Sequence, residues 1–187
     1  MPLFEIIMST VDSAIELLTQ GGVHRYGGEP VSQLAHALQC AHLAKSENAP
    51  DDLVIAALLH DLGHLVHDPG EDAAKQGVDD KHQFRALHLL KRAFGSAVLE
   101  PVRLHVDAKR YLCRVDPAYH DALSPASKQS LELQGGVFSV PDAKRFISQA
   151  YGRDAARLRT WDDRAKVAGK PTPGLAHYTK IMERCVL

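Results

Sequence analysis

The sequence predicts an all-α fold that forms one compact domain across residues 1–187. Apolar residues recur at helical spacing along almost the whole chain, and no run has the alternating pattern typical of strands. Glycine and proline fall between the apolar segments, where helices commonly end and begin. A chain of 187 residues is also about the size of one domain. These three observations together favour a single helical bundle.

The helix boundaries follow from those glycine and proline positions. The pair Gly21 and Gly22 ends the first helix, and Pro30, Pro50 and Pro125 each suit a first turn. Pro101 falls early in a later helix, where it predicts a kink. The predicted helices span 2–20, 30–47, 50–65, Asp79 or Asp80 to 94, 97–112, 124–135, 141–151, 153–168 and 177–185, with a polar loop over 66–80.

The composition argues against several classes of partner. The net charge of −1 gives no reason to expect nucleic acid or an acidic membrane. The three cysteines, Cys40, Cys113 and Cys185, are far apart and odd in number, which predicts a reducing compartment rather than a disulfide framework. The first residues lack the basic start of a signal peptide, and no apolar run reaches the ~20 residues that span a bilayer. We therefore expect a soluble, cytoplasmic protein.

The stretch LLHDLGHLVHD, residues 58–68, predicts a metal site. His60 and Asp61 follow an apolar run, and a buried Asp61 without a partner would cost roughly several kcal/mol. A metal ion would satisfy both side chains, and the second oxygen of Asp61 could reach another ion. A single histidine at an apolar position could equally be a hydrogen-bonded core residue or a metal ligand. Several such histidines together are better explained as metal ligands. The further candidate ligands are His36, His82, His105 and Asp162.

A second pattern predicts an anion pocket beside that site. Residues four apart share a helix face. Three candidate ligands are each followed, four residues later, by a group that can carry positive charge: His60 by His64, His105 by Lys109 and Asp162 by Lys166. Arg159 lies three residues before Asp162. Converging cations would hold an anion by charge-assisted hydrogen bonds. The alternative is ordinary surface Lys and Arg. Helix geometry alone does not choose between Asp162 and Asp163, since either can share a face with Arg159.

These residues resemble a known family. The matching stretches are YGGEPVSQLAHALQ, LLHDLGH, HVDAKRYL, LSPASKQSLELQGG and RTWDDRAK, which are spread over residues 26–166. Together they resemble the HD-domain mixed-valent diiron phosphonate oxygenases, and more distantly myo-inositol oxygenase. The resemblance implies an HD-domain helical bundle with two iron ions, Fe2+ and Fe3+, and O2 as co-substrate.

The resemblance also implies a role for each matching residue. His36, His60, Asp61 and Asp162 would hold the first iron, Asp61 would bridge, and His82 and His105 would complete the second. Tyr26 resembles a tyrosine that binds the first iron until substrate arrives, and Glu29 resembles the acid that meets the nitrogen group of the substrate. The implied phosphonate pocket consists of Glu29, His64, Lys109, Ser127, Ser130, Arg159 and Lys166, with Ser130 where the family would have threonine.

The implied reaction is oxygenation of a 1-hydroxyphosphonate, with cleavage of the C–P bond to a carboxylic acid and phosphate. We favour 1-hydroxy-2-(trimethylammonio)ethylphosphonate, which gives glycine betaine, with Tyr26 and Tyr178 as candidate aromatic walls. The alternatives are 2-amino-1-hydroxyethylphosphonate, which gives glycine, a metal-dependent HD phosphohydrolase, and a non-catalytic HD sensor or scaffold. An upstream phosphonate hydroxylase is the partner that the resemblance implies.

Overall fold

A computed structural model describes residues 2–26, 29–66 and 81–187. Ten α-helices account for most of this part of the chain. They are α1 Leu3–Gln20, α2 Gln33–Ser46, α3 Asp51–Leu59, α4 His82–Leu90, α5 Ser96–Val115, α6 Pro117–Ala122, α7 Pro125–Leu133, α8 Val140–Ser148, α9 Gly152–Arg164 and α10 Leu175–Met182, with a 3-10 turn at Leu62–His64 after α3.

The predicted all-α fold is confirmed. Within the described ranges the chain forms no strand, and its extended pairings are isolated bridges between Arg25 and Ser32 and between Phe94 and Val186. None of the helices in the same ranges is both long and apolar enough to cross a membrane.

Helix α3 lies at the centre of the main hydrophobic core. All seven residues from Leu53 to Leu59 are buried, as expected for a helix that is apolar on every side. It packs against α2, α5, α9 and α10, and α1 and α4 add apolar side chains to the same core. The carboxyl end of α3, where His60 and Asp61 follow, therefore lies inside the bundle.

The prediction that this helix continues to residue 65 is wrong. Helix α3 ends at Leu59, and Asp61 leaves helical geometry with φ −100° and ψ 8°. The amide of His64 then donates to the carbonyl oxygen of Asp61 at 3.0 Å, which closes a tighter turn. Because the chain turns here, His60 and Asp61 are no longer consecutive residues of one helix and can both face the interior.

Other boundaries also differ from the prediction. Helix α4 ends at Leu90 rather than 94, α5 continues through Pro101 to Val115, and α10 begins at Leu175. Helix α6 was not predicted, although Asp116 caps it by accepting from the amide of Ala118 at 3.0 Å. Helix α9 ends at Arg164 rather than 168. Lys166 therefore lies past the helix end and does not share a helix face with Asp162.

The polar loop predicted over 66–80, and Asp79 and Asp80 as caps of α4, fall almost entirely outside the described residues. In the structure Lys81 precedes the first residue of α4 in the left-handed conformation, with φ 51°.

Gly63 lets the 3-10 turn approach α4 closely. A Cβ at Gly63 would lie 1.9 Å from the carbonyl oxygen of His82 and 2.7 Å from its carbonyl carbon. These are backbone atoms, so a larger side chain cannot be accommodated by a change of rotamer. Because glycine has no side chain, the turn after Asp61 packs directly against the start of α4.

We predict that Gly63→Ala lowers the free energy of unfolding by about 1–3 kcal/mol, because the added methyl forces the His82 backbone away. Thermal unfolding followed by circular dichroism measures this as a decrease in Tm of several degrees. Gly174→Ala is the matched control, since a Cβ there meets nothing within 4 Å. Equal Tm values for the two variants would show that the contact is not tight.

Candidate metal centre

Five separate elements bring the six predicted metal ligands together. His36 comes from α2, His60 and Asp61 follow α3, His82 begins α4, His105 lies midway along α5, and Asp162 lies near the end of α9. All six side chains are buried. Six titratable groups at the centre of a helical bundle are unusual, since such groups are mostly exposed unless they are paired or coordinated.

Four of these side chains form a first cluster. The Nε2 atoms of His36 and His60 are 3.4 Å apart. Oδ2 of Asp61 lies 3.6 Å from Nε2 of His36 and 3.3 Å from Nε2 of His60. The carboxylate of Asp162 lies 3.5 Å from the first nitrogen and 3.7 Å from the second. Two imidazoles and two carboxylates thus converge on one point.

The other oxygen of Asp61 faces a second cluster. Its Oδ1 lies 3.3 Å from Nε2 of His82 and 3.5 Å from Nε2 of His105, and these nitrogens are 2.9 Å apart. His64 stacks on His82 with ring centroids 4.0 Å apart, and its Nε2 lies 3.9 Å from the same oxygen. His64, predicted for the anion pocket, is therefore also near enough to join this cluster, and Asp61, His64 and His82 together could hold an ion.

Backbone carbonyls fix which ring nitrogen points inward. The Nδ1 atoms of three histidines donate to carbonyl oxygens and leave Nε2 facing the clusters: His36 to Ala165 at 2.9 Å, His60 to Ala57 at 2.9 Å and His105 to Val102 at 2.7 Å. Metal-binding histidines are commonly oriented in this way. Oδ2 of Asp61 is buried without a hydrogen-bond partner among the described residues. This donor set, with an unpartnered oxygen inside it, fits a pair of metal ions.

The charges of the clustered side chains point to the same conclusion. Burial lowers the pKa of His60, but Asp61 and Asp162 outweigh burial and raise it to about 10. Burial opposes ionisation of the Asp61 and Asp162 carboxyls. His60 nevertheless holds the pKa of Asp61 well below its usual range, and Arg159 does the same for the pKa of Asp162. Burial and His82 lower the pKa of His105 well below its ordinary value. A proton on His60 thus occupies a position that a metal ion would take.

Tyr26 lies against the first cluster. Its ring stacks on His36 with centroids 3.9 Å apart, and its hydroxyl donates to Oδ1 of Asp162 at 3.4 Å. Burial, together with the charge of Asp162, raises the pKa of Tyr26 well above its usual value. The hydroxyl is close enough to the ligand atoms to reach an ion bound among them.

Cys40 is a neighbour of the first cluster that the sequence analysis did not select. Its Sγ lies 3.6 Å from Nε2 of His36, and Cys40, His36 and His60 present potential ligand atoms within 4.8 Å of one another. The signal was present in the sequence, because Cys40 follows His36 by four residues on the same face of α2.

The predicted anion pocket contains two lysine–serine pairs. Nζ of Lys109 donates to Oγ of Ser130 at 2.7 Å, and Nζ of Lys166 donates to Oγ of Ser127 at 3.1 Å. Lys109 is only 2% exposed. Burial, and secondly the charge of Arg159, lower its pKa to about 7. An anion placed beside Lys109 would favour its charged form.

Glu29 contacts one of these lysines. Its Oε1 lies 3.4 Å from Nζ of Lys166, and both side chains are largely buried. The ammonium of Lys166 also lies 5.8 Å from the ring centroid of Tyr26. Lys166 therefore connects the segment that carries Tyr26 and Glu29 to the serine side of the pocket.

The two adjacent aspartates, between which the sequence did not choose, face different partners in the structure. Asp162 faces the histidines of the first cluster, whereas Asp163 pairs with Arg159 and accepts a hydrogen bond from Tyr119. Arg159 lies between them, with NH1 2.6 Å from Oδ2 of Asp162. Asp163 was considered only as an alternative to Asp162, and Tyr119 was not among the predicted site residues. Tyr119 lies on α6, which the apolar pattern did not reveal.

Comparison with known proteins identifies the family of this chain. Residues 31–135 match the HD domain family, so more than half of the chain is covered and the chain belongs to that family. It is 42% identical over 177 residues to hydroxymethylphosphonate dioxygenase of Gimesia maris, which covers 94% of this chain and 88% of that protein. A second relative is the glycine-betaine-forming 1-hydroxy-2-(trimethylamino)ethylphosphonate dioxygenase of Leisingera caerulea. The two chains are 34% identical over 165 residues, which cover 88% of this chain and 84% of the relative. Within the HD domain family the chain belongs with the phosphonate oxygenases, as predicted.

We predict that Asp61→Ala loses both metal ions, because one carboxylate serves both clusters. Elemental analysis of protein loaded anaerobically with Fe2+ and then desalted measures the metal content per chain. Asp107→Ala is the control: Asp107 lies on α5 two residues from His105, but its carboxylate pairs with Arg110 at 3.1 Å. Two tightly bound ions in Asp61→Ala would refute a bridging role.

Proposed function

We propose that the protein is an O2-dependent oxygenase that uses two iron ions to cleave the carbon–phosphorus bond of a 1-hydroxyphosphonate, giving a carboxylic acid and phosphate. The position of Asp61 carries the proposal, since its two oxygens face separate sets of imidazole nitrogens. The names of the two relatives, both phosphonate dioxygenases, support the same reaction class.

The donor set supports iron. Imidazole and carboxylate ligands suit iron, manganese or zinc better than magnesium, and iron is the one of these that commonly activates O2 at such sites. The six residues of the two clusters would hold the ions: His36, His60, Asp61 and Asp162 the first, and His82, His105 and Asp61 the second. A bound Fe2+/Fe3+ pair would supply O2 activation and removal of hydrogen from C1.

The residues of the chain would bind and orient the substrate. Lys109 with Ser130 and Lys166 with Ser127 provide charge-assisted and hydroxyl hydrogen bonds for the phosphonate oxygens. Lys109 is one helical turn from His105, so the anion would lie beside the second cluster. Tyr26 would occupy a position at the first cluster until substrate arrives, which restricts O2 chemistry to the substrate-bound protein.

Hydroxymethylphosphonate is the substrate that this arrangement best supports. It carries no nitrogen group, so it needs no contact from Glu29, the predicted nitrogen contact, whose Oε1 lies 3.4 Å from Nζ of Lys166. The 42% identical relative is named for this substrate. The products would be formate and phosphate, which together contain the substrate atoms and both atoms of one O2. A reaction that hydroxylates a phosphonate at C1 would supply such a substrate.

The trimethylated substrate that the sequence analysis favours is the second candidate. Oε1 of Glu29 is buried without a hydrogen-bond partner, because its contact with Lys166 lacks hydrogen-bond geometry. It therefore keeps capacity for a substrate cation, whether the ammonium is methylated or primary. Tyr178 does not support the aromatic wall expected of it, since it is fully buried in the main hydrophobic core.

We predict that the iron-loaded protein releases phosphate and formate from hydroxymethylphosphonate in a 1:1 ratio, with one O2 consumed per phosphate. Coupled phosphate and formate assays with an oxygen electrode measure this. The ratio of kcat/KM for hydroxymethylphosphonate to that for the trimethylated substrate decides between the two candidates. The low-temperature electron paramagnetic resonance spectrum of the partly oxidised protein should change when substrate is added.

Two outcomes would contradict this assignment. Phosphate release that continues without O2 would indicate a phosphohydrolase. A protein that binds two metals but turns over no 1-hydroxyphosphonate would indicate an HD scaffold or sensor.

We predict that Lys109→Met raises KM for the phosphonate roughly 10- to 100-fold, which corresponds to the loss of a hydrogen bond to a charged group. The metal content should stay at two ions per chain, because Lys109 lies outside both clusters. Lys128→Met is the control, since Lys128 lies on neighbouring α7 and donates to the carbonyl of Asp121 at 3.0 Å. Loss of metal in Lys109→Met would assign this lysine to the metal centre instead.

A further inference from the structure

The side chain of Arg159 is held on three sides. Its Nε donates to Oδ2 of Asp163 at 3.1 Å and to the hydroxyl of Tyr119 at 3.2 Å. Its NH2 donates to Oδ1 of Asp163, and its NH1 lies 2.6 Å from Oδ2 of Asp162. The Tyr119 hydroxyl in turn donates to Asp163. We call Tyr119 and Asp163, which hold this guanidinium, the arginine clamp.

The clamp adjoins the first cluster directly. Asp162, whose Oδ2 forms an ion pair with NH1 of the guanidinium, is 1% exposed, and Arg159 is 6% exposed. Oδ1 of Asp162 lies 3.5 Å from Nε2 of His36 and 3.4 Å from the hydroxyl of Tyr26. One carboxylate is therefore shared between a guanidinium and the inward-facing nitrogens of the cluster, in surroundings where screening by water is weak.

We propose that Tyr119 and Asp163 are positioning residues that hold the guanidinium of Arg159 partly away from Asp162, so that this carboxylate stays available to the first metal ion. Asp163 and Tyr119 engage Nε and NH2, which leaves NH1 for Asp162. A planar guanidinium binds a carboxylate most strongly through two parallel N–H groups. Without the clamp, Arg159 turns both groups onto Asp162 and competes with the metal for the same oxygens.

The proposal changes the role expected of Arg159. The resemblance implies a place for it in the phosphonate pocket, but each of its three nitrogens contacts a carboxylate or Tyr119. Its positive charge is balanced by two aspartates, and Lys166 also lies 3.4 Å from the carboxylate of Glu29, whereas Lys109 donates to the hydroxyl of Ser130. Lys109 is thus the main source of anion affinity, and Arg159 acts on the metal centre through Asp162.

The clamp acts on one metal site and not on the other. Asp162 lies near His36 and His60, whereas the second cluster is built from Oδ1 of Asp61 with His82 and His105. A change in the clamp therefore alters the affinity of the first site and leaves the second unchanged. A general loss of stability would weaken both sites, so the difference between the sites identifies the positioning role.

The test measures metal affinity with Co2+, by competition with a coloured chelator, which gives two dissociation constants for the whole chain. Asp162→Asn identifies which constant belongs to the first site. Asp163→Asn should raise that constant roughly 10-fold, as is typical when a partner of a metal ligand is lost. Tyr119→Phe, a milder change that keeps the ring packing, should raise it roughly five-fold. Asp154→Asn, in the first turn of the same helix, is the control and should change neither constant.

A double-mutant cycle completes the test. With Arg159→Gln as the background, Asp163→Asn should leave the first-site constant unchanged, because the competing guanidinium is gone. An equal loss of first-site affinity in both backgrounds would overturn the proposal. A loss of affinity at both metal sites would also overturn it, and so would unchanged dissociation constants in Asp163→Asn and Tyr119→Phe. The proposal rests on the metal-binding role given to Asp162, but the measurement needs no phosphonate. Its outcome is therefore separate from the test of substrate turnover.

Discussion

A single buried carboxylate organises this molecule. Asp61 directs one oxygen to His36 and His60 and the other to His82 and His105, so the two clusters share one side chain. Helix α3 ends at Leu59 and the chain turns at Asp61, and both His60 and Asp61 are buried in the interior. The close approach of Gly63 to His82 fixes the turn against α4, and the remaining ligands come from α2, α5 and α9.

The bundle must also accommodate buried charge. Asp61, Asp162, Arg159 and Lys109 are each less than a tenth exposed, and an isolated ion in such surroundings is strongly destabilising. The structure pairs the two carboxylates with His60 and Arg159, and lowers the pKa of Lys109 to about 7 by burial and by the charge of Arg159. These groups form a continuous polar interior from the metal centre to the lysine–serine pairs. The hydrophobic core around α3 compensates for their cost.

The clustering of these side chains could largely be predicted from the sequence, because each candidate ligand stands out locally: a histidine or aspartate at an apolar helical position needs a partner. It predicted helix ends less well, since tertiary contacts decide them. Lys166 was placed on α9 by spacing, yet the helix ends at Arg164 and the chain beyond it brings Lys166 to Ser127. Tyr119 could not be found by spacing, because its contacts to Arg159 and Asp163 join residues 40 and 44 positions apart. Helix periodicity carries no information about such pairs.

Helix α5 carries both His105, which faces the second cluster, and Lys109, which binds Ser130. The two residues are one turn apart on a continuous helix, a rise of about 5.4–6 Å. The backbone spacing between His105 and Lys109 is thus set by the geometry of one helix and does not depend on the conformation of a loop. For the proposed reaction, this distance would set the separation between the hydroxyl and the phosphonate of a substrate. A compound with an extra methylene between its hydroxyl-bearing carbon and its phosphorus would therefore fit less well.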